Sequence, residues 1–85
     1  MDPVYVFGHK NPDTDFPMTE TEPGVYRSER LTLHKGEEFK VRQGRSWDVN
    51  YGQNGRDGSN VVVDKDGNYC VWFDSATGRI WLEKK

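Results

Sequence analysis

The chain has little of what most function classes require. Among 85 residues there is one cysteine, Cys70, which excludes an internal disulfide and leaves no thiolate cluster for zinc. Set in the middle of an apolar run, it reads as an inert strand residue. Branched aliphatic residues are scarce: three leucines, one isoleucine and nine valines, with four phenylalanines, touch the lower border for a globular chain. No apolar run approaches the roughly 20 residues needed to span a bilayer, so no membrane insertion is expected, and Met1-Asp2-Pro3 does not resemble the start of a signal peptide. An excess of one charge sign is missing too. The 12 basic and 14 acidic residues are interspersed, for a formal net charge of −2, which gives no general field to attract nucleic acid. The two histidines, His9 and His34, fall in separate turns, and no serine or cysteine has a base nearby, so no catalytic residue and no cofactor is expected. Paired carboxylates for glycoside hydrolysis would need a cleft, which a small flat domain rarely supplies.

Aromatic residues are what the chain does have, at 13% of its length. Each buried ring removes a large area from water, and this compensates for the missing aliphatics. The most informative stretch is Tyr69-Cys70-Val71-Trp72-Phe73, followed by the turn Asp74 to Arg79 and then Ile80-Trp81-Leu82. With a symmetric turn, Phe73 lies opposite Ile80, Trp72 opposite Trp81 and Val71 opposite Leu82. Tyr69, Val71, Phe73, Ile80 and Leu82 then fill a core. Trp72 and Trp81 are left side by side on the other face, where a covering layer or a ligand is needed.

Elsewhere short apolar or alternating runs recur between turn signals, and no helical period is sustained. Val4 to Phe7 leads into the polar stretch His9 to Asp15. Val25 to Leu33, the reversal His34-Lys35-Gly36 and Glu37 to Gln43 read as the clearest hairpin, with Phe39 and Val41 inward and Lys40 and Arg42 outward. Tyr26 and Leu31 have opposite parity, so that strand either contains a bulge or leaves one of the two outside the core. The turn-rich stretch Gly44 to Asn60 precedes Val61-Val62-Val63. Six or seven short strands at this spacing predict an all-β fold, an immunoglobulin-like antiparallel β-sandwich, with residues 1–85 forming one domain.

Two segments resemble known families. Phe7-Gly8-His9-Lys10-Asn11-Pro12-Asp13-Thr14-Asp15 resembles the first metal motif of family II inorganic pyrophosphatases, in which the residues matching His9, Asp13 and Asp15 would hold manganese. The likeness covers about nine positions, and no Asp-His-His motif follows. A polar loop whose Asn and Asp side chains cap local turns accounts for the same residues, so no metal is expected. Asp64-Lys65-Asp66-Gly67-Asn68 has the outline of a calcium loop without its closing acidic residue, and reads as a hairpin turn.

The second resemblance runs from Tyr5 to Glu83. Gly24-Val25-Tyr26, Leu31-Thr32-Leu33, Gly36-Glu37-Glu38-Phe39-Lys40, then Ser46-Trp47-Asp48-Val49-Asn50-Tyr51-Gly52, Gly58-Ser59-Asn60, Gly67-Asn68-Tyr69 and Phe73-Asp74 resemble starch-binding sandwich modules. Such modules occur in the starch-utilisation outer-membrane lipoproteins and as accessory domains of bacterial amylopullulanases. One departure stands out: where those modules often carry a tryptophan after the first strand, this chain reads Gly8-His9-Lys10-Asn11-Pro12-Asp13. The resemblance implies a non-catalytic module that binds α-glucan, extracellular or at the cell surface, beside neighbouring domains of a larger chain.

The residue types suit that chemistry. A sugar ring presents an apolar face of C–H groups and a rim of hydroxyls, so a binder needs aromatic planes and planar polar groups. Trp47, Tyr51, Trp72 and Trp81 can supply planes, and Lys40, Arg42, Arg45, Asn50, Gln53 and Asn54 hydrogen bonds. Several of these also have a structural role open to them. Trp47 can plug one end of the sandwich, Trp72 and Trp81 can form a cross-strand pair or pack under a loop, and the cations can blunt an edge strand. On those terms the domain is instead a protein-interaction or spacer sandwich without sugar binding.

Overall fold

The computed structural model describes residues 4–7, 15–43, 50–53 and 55–85. Ten strands are found among them: β1 Val4–Phe7, β2 Asp15–Glu22, β3 Val25–Ser28, β4 Leu31–Leu33, β5 Glu38–Gln43, β6 Asn50–Gly52, β7 Gly55–Arg56, β8 Val61–Val62, β9 Gly67–Asp74 and β10 Arg79–Lys84. All pairings are antiparallel and the described residues contain no helix. The architecture is an all-β antiparallel sandwich, as the strand spacing predicted. The count exceeds six or seven because Asp15–Glu22 forms a strand where the sequence pattern suggested none, the stretch between β5 and β9 holds three short strands, and the segment 25–33 is split in two.

One sheet runs through the start of β2, then β1, β5, β6 and β7; the other through the end of β2, then β3, β9 and β10, with β4 also pairing β9. Strand β2 belongs to both. Pro17 is the register partner of Tyr5 in the first sheet, and Met18, the next residue, that of Ser28 in the second. Proline has no N–H to give to a ladder, so the change of partner falls where a donor is already lacking. Between the sheets Phe39, Phe73, Leu33, Val41, Val63 and Val71 are fully buried, and Ile80 and Leu82 pack against them from the edge. Cys70 is buried within β9, opposite Glu83 of β10.

The expected hairpin at His34-Lys35-Gly36 is corrected by the structure. The reversal itself forms, closed by Glu37 N–H donating to the His34 carbonyl at 3.0 Å with Gly36 at φ +90°. Its arms do not pair with each other: β4 lies against β9, with Leu31 opposite Tyr69, while β5 lies against β1, with Val41 opposite Val6. Alternating apolar residues on the two arms face each other across the interior, not along one sheet. A turn between sheets and a turn within one sheet share the same local residue pattern, which is why parity and glycine alone suggested a hairpin.

The opposite parities of Tyr26 and Leu31 resolve into a strand break that keeps both buried. Strand β3 ends at Ser28 and β4 begins at Leu31, each pairing with a different part of β9. The gap falls opposite Val71, whose backbone N–H would otherwise lack a carbonyl. The buried Ser28 hydroxyl supplies the acceptor, 2.8 Å from Val71 N, and donates its own proton to the Glu29 carbonyl at 2.8 Å. A side chain here stands in for the missing rung of the ladder.

Ser28→Ala should therefore leave a buried N–H unsatisfied, at a cost of about 1–3 kcal/mol. Thermal melting should show the midpoint falling by about 4–8 °C for each kcal/mol lost, with Ser28→Thr, which keeps the hydroxyl, closer to the parent. An unchanged melting temperature for the alanine variant would refute this role.

Candidate functional site

Strand alternation places the tryptophans. With Val71 and Phe73 of β9 turned into the core, Trp72 emerges on the outer face of that sheet, and in β10 Trp81 does the same between Ile80 and Leu82. Trp72 and Trp81 are register partners, as are Phe73 with Ile80 and Val71 with Leu82, as the symmetric turn requires. The two indoles are partly buried and stack with centroids 5.8 Å apart and planes 8° from parallel. They are not sealed in the interior.

The row extends beyond the pair. Arg27 of β3 is the register partner of Trp72 on the side away from β10, and its Cζ lies 5.6 Å from the Trp72 ring centre. Arg79, two residues before Trp81 and on the same face, places its Cζ 5.0 Å from the Trp81 ring centre. A ladder of cation, ring, ring and cation thus crosses three strands. Such ring pairs add ~0.5–1.5 kcal/mol beyond their burial, and each exposed cation–π contact adds about 0.5–1 kcal/mol.

Glu83, two residues after Trp81, completes the cluster. Its carboxylate accepts from Trp72 Nε1–H at 3.1 Å and pairs with Lys85 Nζ at 3.2 Å. The indole hydrogen bond first, then the Lys85 contact, holds the Glu83 carboxyl below its ordinary pKa. Trp72, Trp81, Leu82 and Glu83 line a shallow groove of about 350 Å³. It joins an apolar wall to a carboxylate acceptor, with guanidinium donors at its margins. A second cavity, about 300 Å³, is also lined by Arg79, with Gly52, Gln53, Thr77 and Ile80.

Of the other sequence-derived candidates, those among the described residues do not join this cluster. Lys40 and Arg42 lie outward on β5, in the opposite sheet, where Lys40 Nζ donates to Asn50 Oδ1 and Arg42 is the register partner of Asn50. Asn50 Nδ2 in turn donates to Asp57 Oδ1 at 3.2 Å. Tyr51 has the inward parity of Val41, its register partner, and its ring centre is 4.5 Å from that of Phe73. Gln53 Nε2 donates to the Asn60 carbonyl at 2.9 Å. Trp47, Asn54, Arg45, His9 and Asp13 lie outside the described residues, and Asp15 is a β2 residue opposite Phe7.

In the Asp64 to Asn68 stretch, Asp66 Oδ1 accepts from Lys35 N–H at 2.7 Å and Asn68 Oδ1 from the Thr32 hydroxyl at 2.8 Å, which makes it a polar turn. Among the described residues no three potential metal ligands come together. Arg27, Arg79 and Glu83 were missed by reasoning from the sequence. Arg79 and Glu83 were within reach, because both share the parity of Trp81, whereas Arg27 requires knowing that β3 pairs with β9.

No family model matches the chain. It is similar over part of its length to an amylopullulanase of Thermoanaerobacterium thermosulfurigenes, 41% identical over 47 residues, and to an amylopullulanase of Thermoanaerobacter thermohydrosulfuricus, 41% identical over 49 residues. These matches cover 52% and 54% of this chain but only 2% and 3% of the enzymes. The chain therefore resembles a short segment of each.

The depressed Glu83 pKa has a defined sign. Its contact with Trp72 contributes stability above the ordinary glutamate range, and that contribution is lost as pH falls through the lower folded value. The Trp72 indole N–H resonance should accordingly shift on acidification with a midpoint below that of a free glutamate side chain. In Glu83→Gln the same resonance should show no such step; a step at the ordinary value in the parent would contradict the contact.

Proposed function

We propose that the domain is a non-catalytic α-glucan-binding module, with its sugar contacts centred on Trp72 and Trp81. The observation that carries this reading is the partial similarity to two enzymes whose name denotes action on α-glucans. The groove supplies compatible chemistry. A glucose unit can lay its C–H face against Trp81 while its hydroxyls donate to Glu83 and accept from Arg79 or Arg27. Arg79 occupies the Trp81 ring in the free protein, but a contact worth about 0.5–1 kcal/mol is readily exchanged for a sugar. Binding should be weak, with dissociation constants of roughly micromolar to millimolar, or about 4 to 8 kcal/mol. The module would act beside neighbouring domains of a larger chain, holding substrate and not cleaving it.

A second reading, a protein-interaction or spacer sandwich without sugar binding, is favoured by one feature. The ring faces are already engaged, by each other and by the two guanidiniums, so the ladder has a complete structural role as a cross-strand brace. The two readings separate cleanly. Migration through native gels containing amylopectin should be retarded, and Trp81→Ala should weaken that retardation roughly tenfold, about 1.4 kcal/mol, while remaining folded by circular dichroism. Unretarded migration of the parent protein, with only melting temperature lowered in the alanine variant, would leave the brace alone standing.

A further inference from the structure

We propose that β10 is a self-complementary edge through which two copies of this chain pair strand to strand. Among the described residues β10 pairs only with β9, so its other backbone edge has no strand partner among them. Natural sheets blunt such edges with proline, bulges or inward charges. Strand β10, Arg79-Ile80-Trp81-Leu82-Glu83-Lys84, has a regular six-residue register with β9, with neither proline nor bulge; its one charge of inward parity, Lys84, sits at the exposed end of the strand beyond Leu82. Its inward residues Ile80 and Leu82 are only partly buried.

The sequence of that edge is nearly a palindrome in chemistry. In antiparallel pairing of two β10 strands about a two-fold axis at Trp81, Arg79 of each copy stands opposite Glu83 of the other. Ile80 stands opposite Leu82, and the two Trp81 residues meet at the centre. Outward residues meet outward ones and inward residues meet inward ones, so the apolar layer under β10 continues into the second copy. A slip of two residues one way sets Arg79 against Trp81, and the other way against Lys85; either slip breaks both ion pairs. The central register is therefore specified by charge.

This pairing uses contacts the free protein already holds ready. The Glu83 carboxylate accepts from Trp72 and meets Lys85, and it retains lone pairs for a guanidinium. Arg79 leaves the Trp81 ring for the carboxylate of the second copy, and the second Trp81 takes the vacated place. The stacked pair becomes a run of four indoles across two subunits. The partner is a second copy and not an unrelated peptide, because both charges and both apolar positions are matched by this strand's own sequence read in reverse. A six-residue edge buries little area, so the dimer is weak, with a dissociation constant between ~1 µM and ~1 mM.

Sedimentation velocity without glucan tests this independently of sugar binding. The parent protein should pass from monomer to dimer across that concentration range. Arg79→Glu and Glu83→Arg should each remain monomeric, since each sets like charges opposite one another twice. Mixed in equal amounts, the two variants should associate, because the mixed pair restores both ion pairs. Amide exchange of the parent should also slow at alternate residues of β10 as concentration rises, a reading that needs no variant. A monomeric parent at every concentration, a dimer that persists in Arg79→Glu, or exchange along β10 that ignores concentration would each overturn the proposal.

Discussion

The alternation of β9 is the constraint on which the rest of this structure depends. Val71 and Phe73 are among its most deeply buried residues, and a strand cannot bury two residues separated by one without turning the middle residue outward. A register slip of a single residue would exchange Trp72 with its neighbours and empty the core of Phe73. Strand β9 is held along both of its edges, by β10 on one side and by β3 and β4 on the other. The outward tryptophan is thus a consequence of packing inside, and Trp81 follows because its pairing with Trp72 fixes its face.

That logic explains why part of the fold was legible in the sequence. The β9–β10 hairpin, its register and the direction of each of its rings follow from parity and one turn, because every relevant contact is local. The sandwich class followed from strand spacing in the same way. What parity could not reveal is which distant strand a segment joins. His34 to Glu37 makes the turn its residues suggest, yet the arms separate into different sheets because the partners that bury them, β9 and β1, lie far away in sequence. The break between Ser28 and Leu31 belongs to the same class. The conflicting parities of Tyr26 and Leu31 signalled an irregularity, but only the position of Val71 shows why a serine sits there.

The candidate site divides along the same line. Trp72 and Trp81 were legible because their juxtaposition arises within one hairpin. Lys40 and Arg42 were correctly turned outward, but on the other sheet, and Tyr51 turned inward against Phe73. Residue type had grouped these five as one chemistry, and topology distributes them over three surroundings. Arg27 shows the converse: nothing in its own neighbourhood of sequence marks it, and its contact with Trp72 exists only because β3 lies beside β9.

Cys70 lies in β9 between core residues, shielded and opposite Glu83. By the same alternation it shares the outer face of β9 with Trp72, so a thiol-specific reagent can reach it only when the side chains covering that face move aside. The chain therefore carries an intrinsic clock: the rate at which this sulfur is labelled reports how often the tryptophan-bearing face uncovers itself, without any probe having to be introduced.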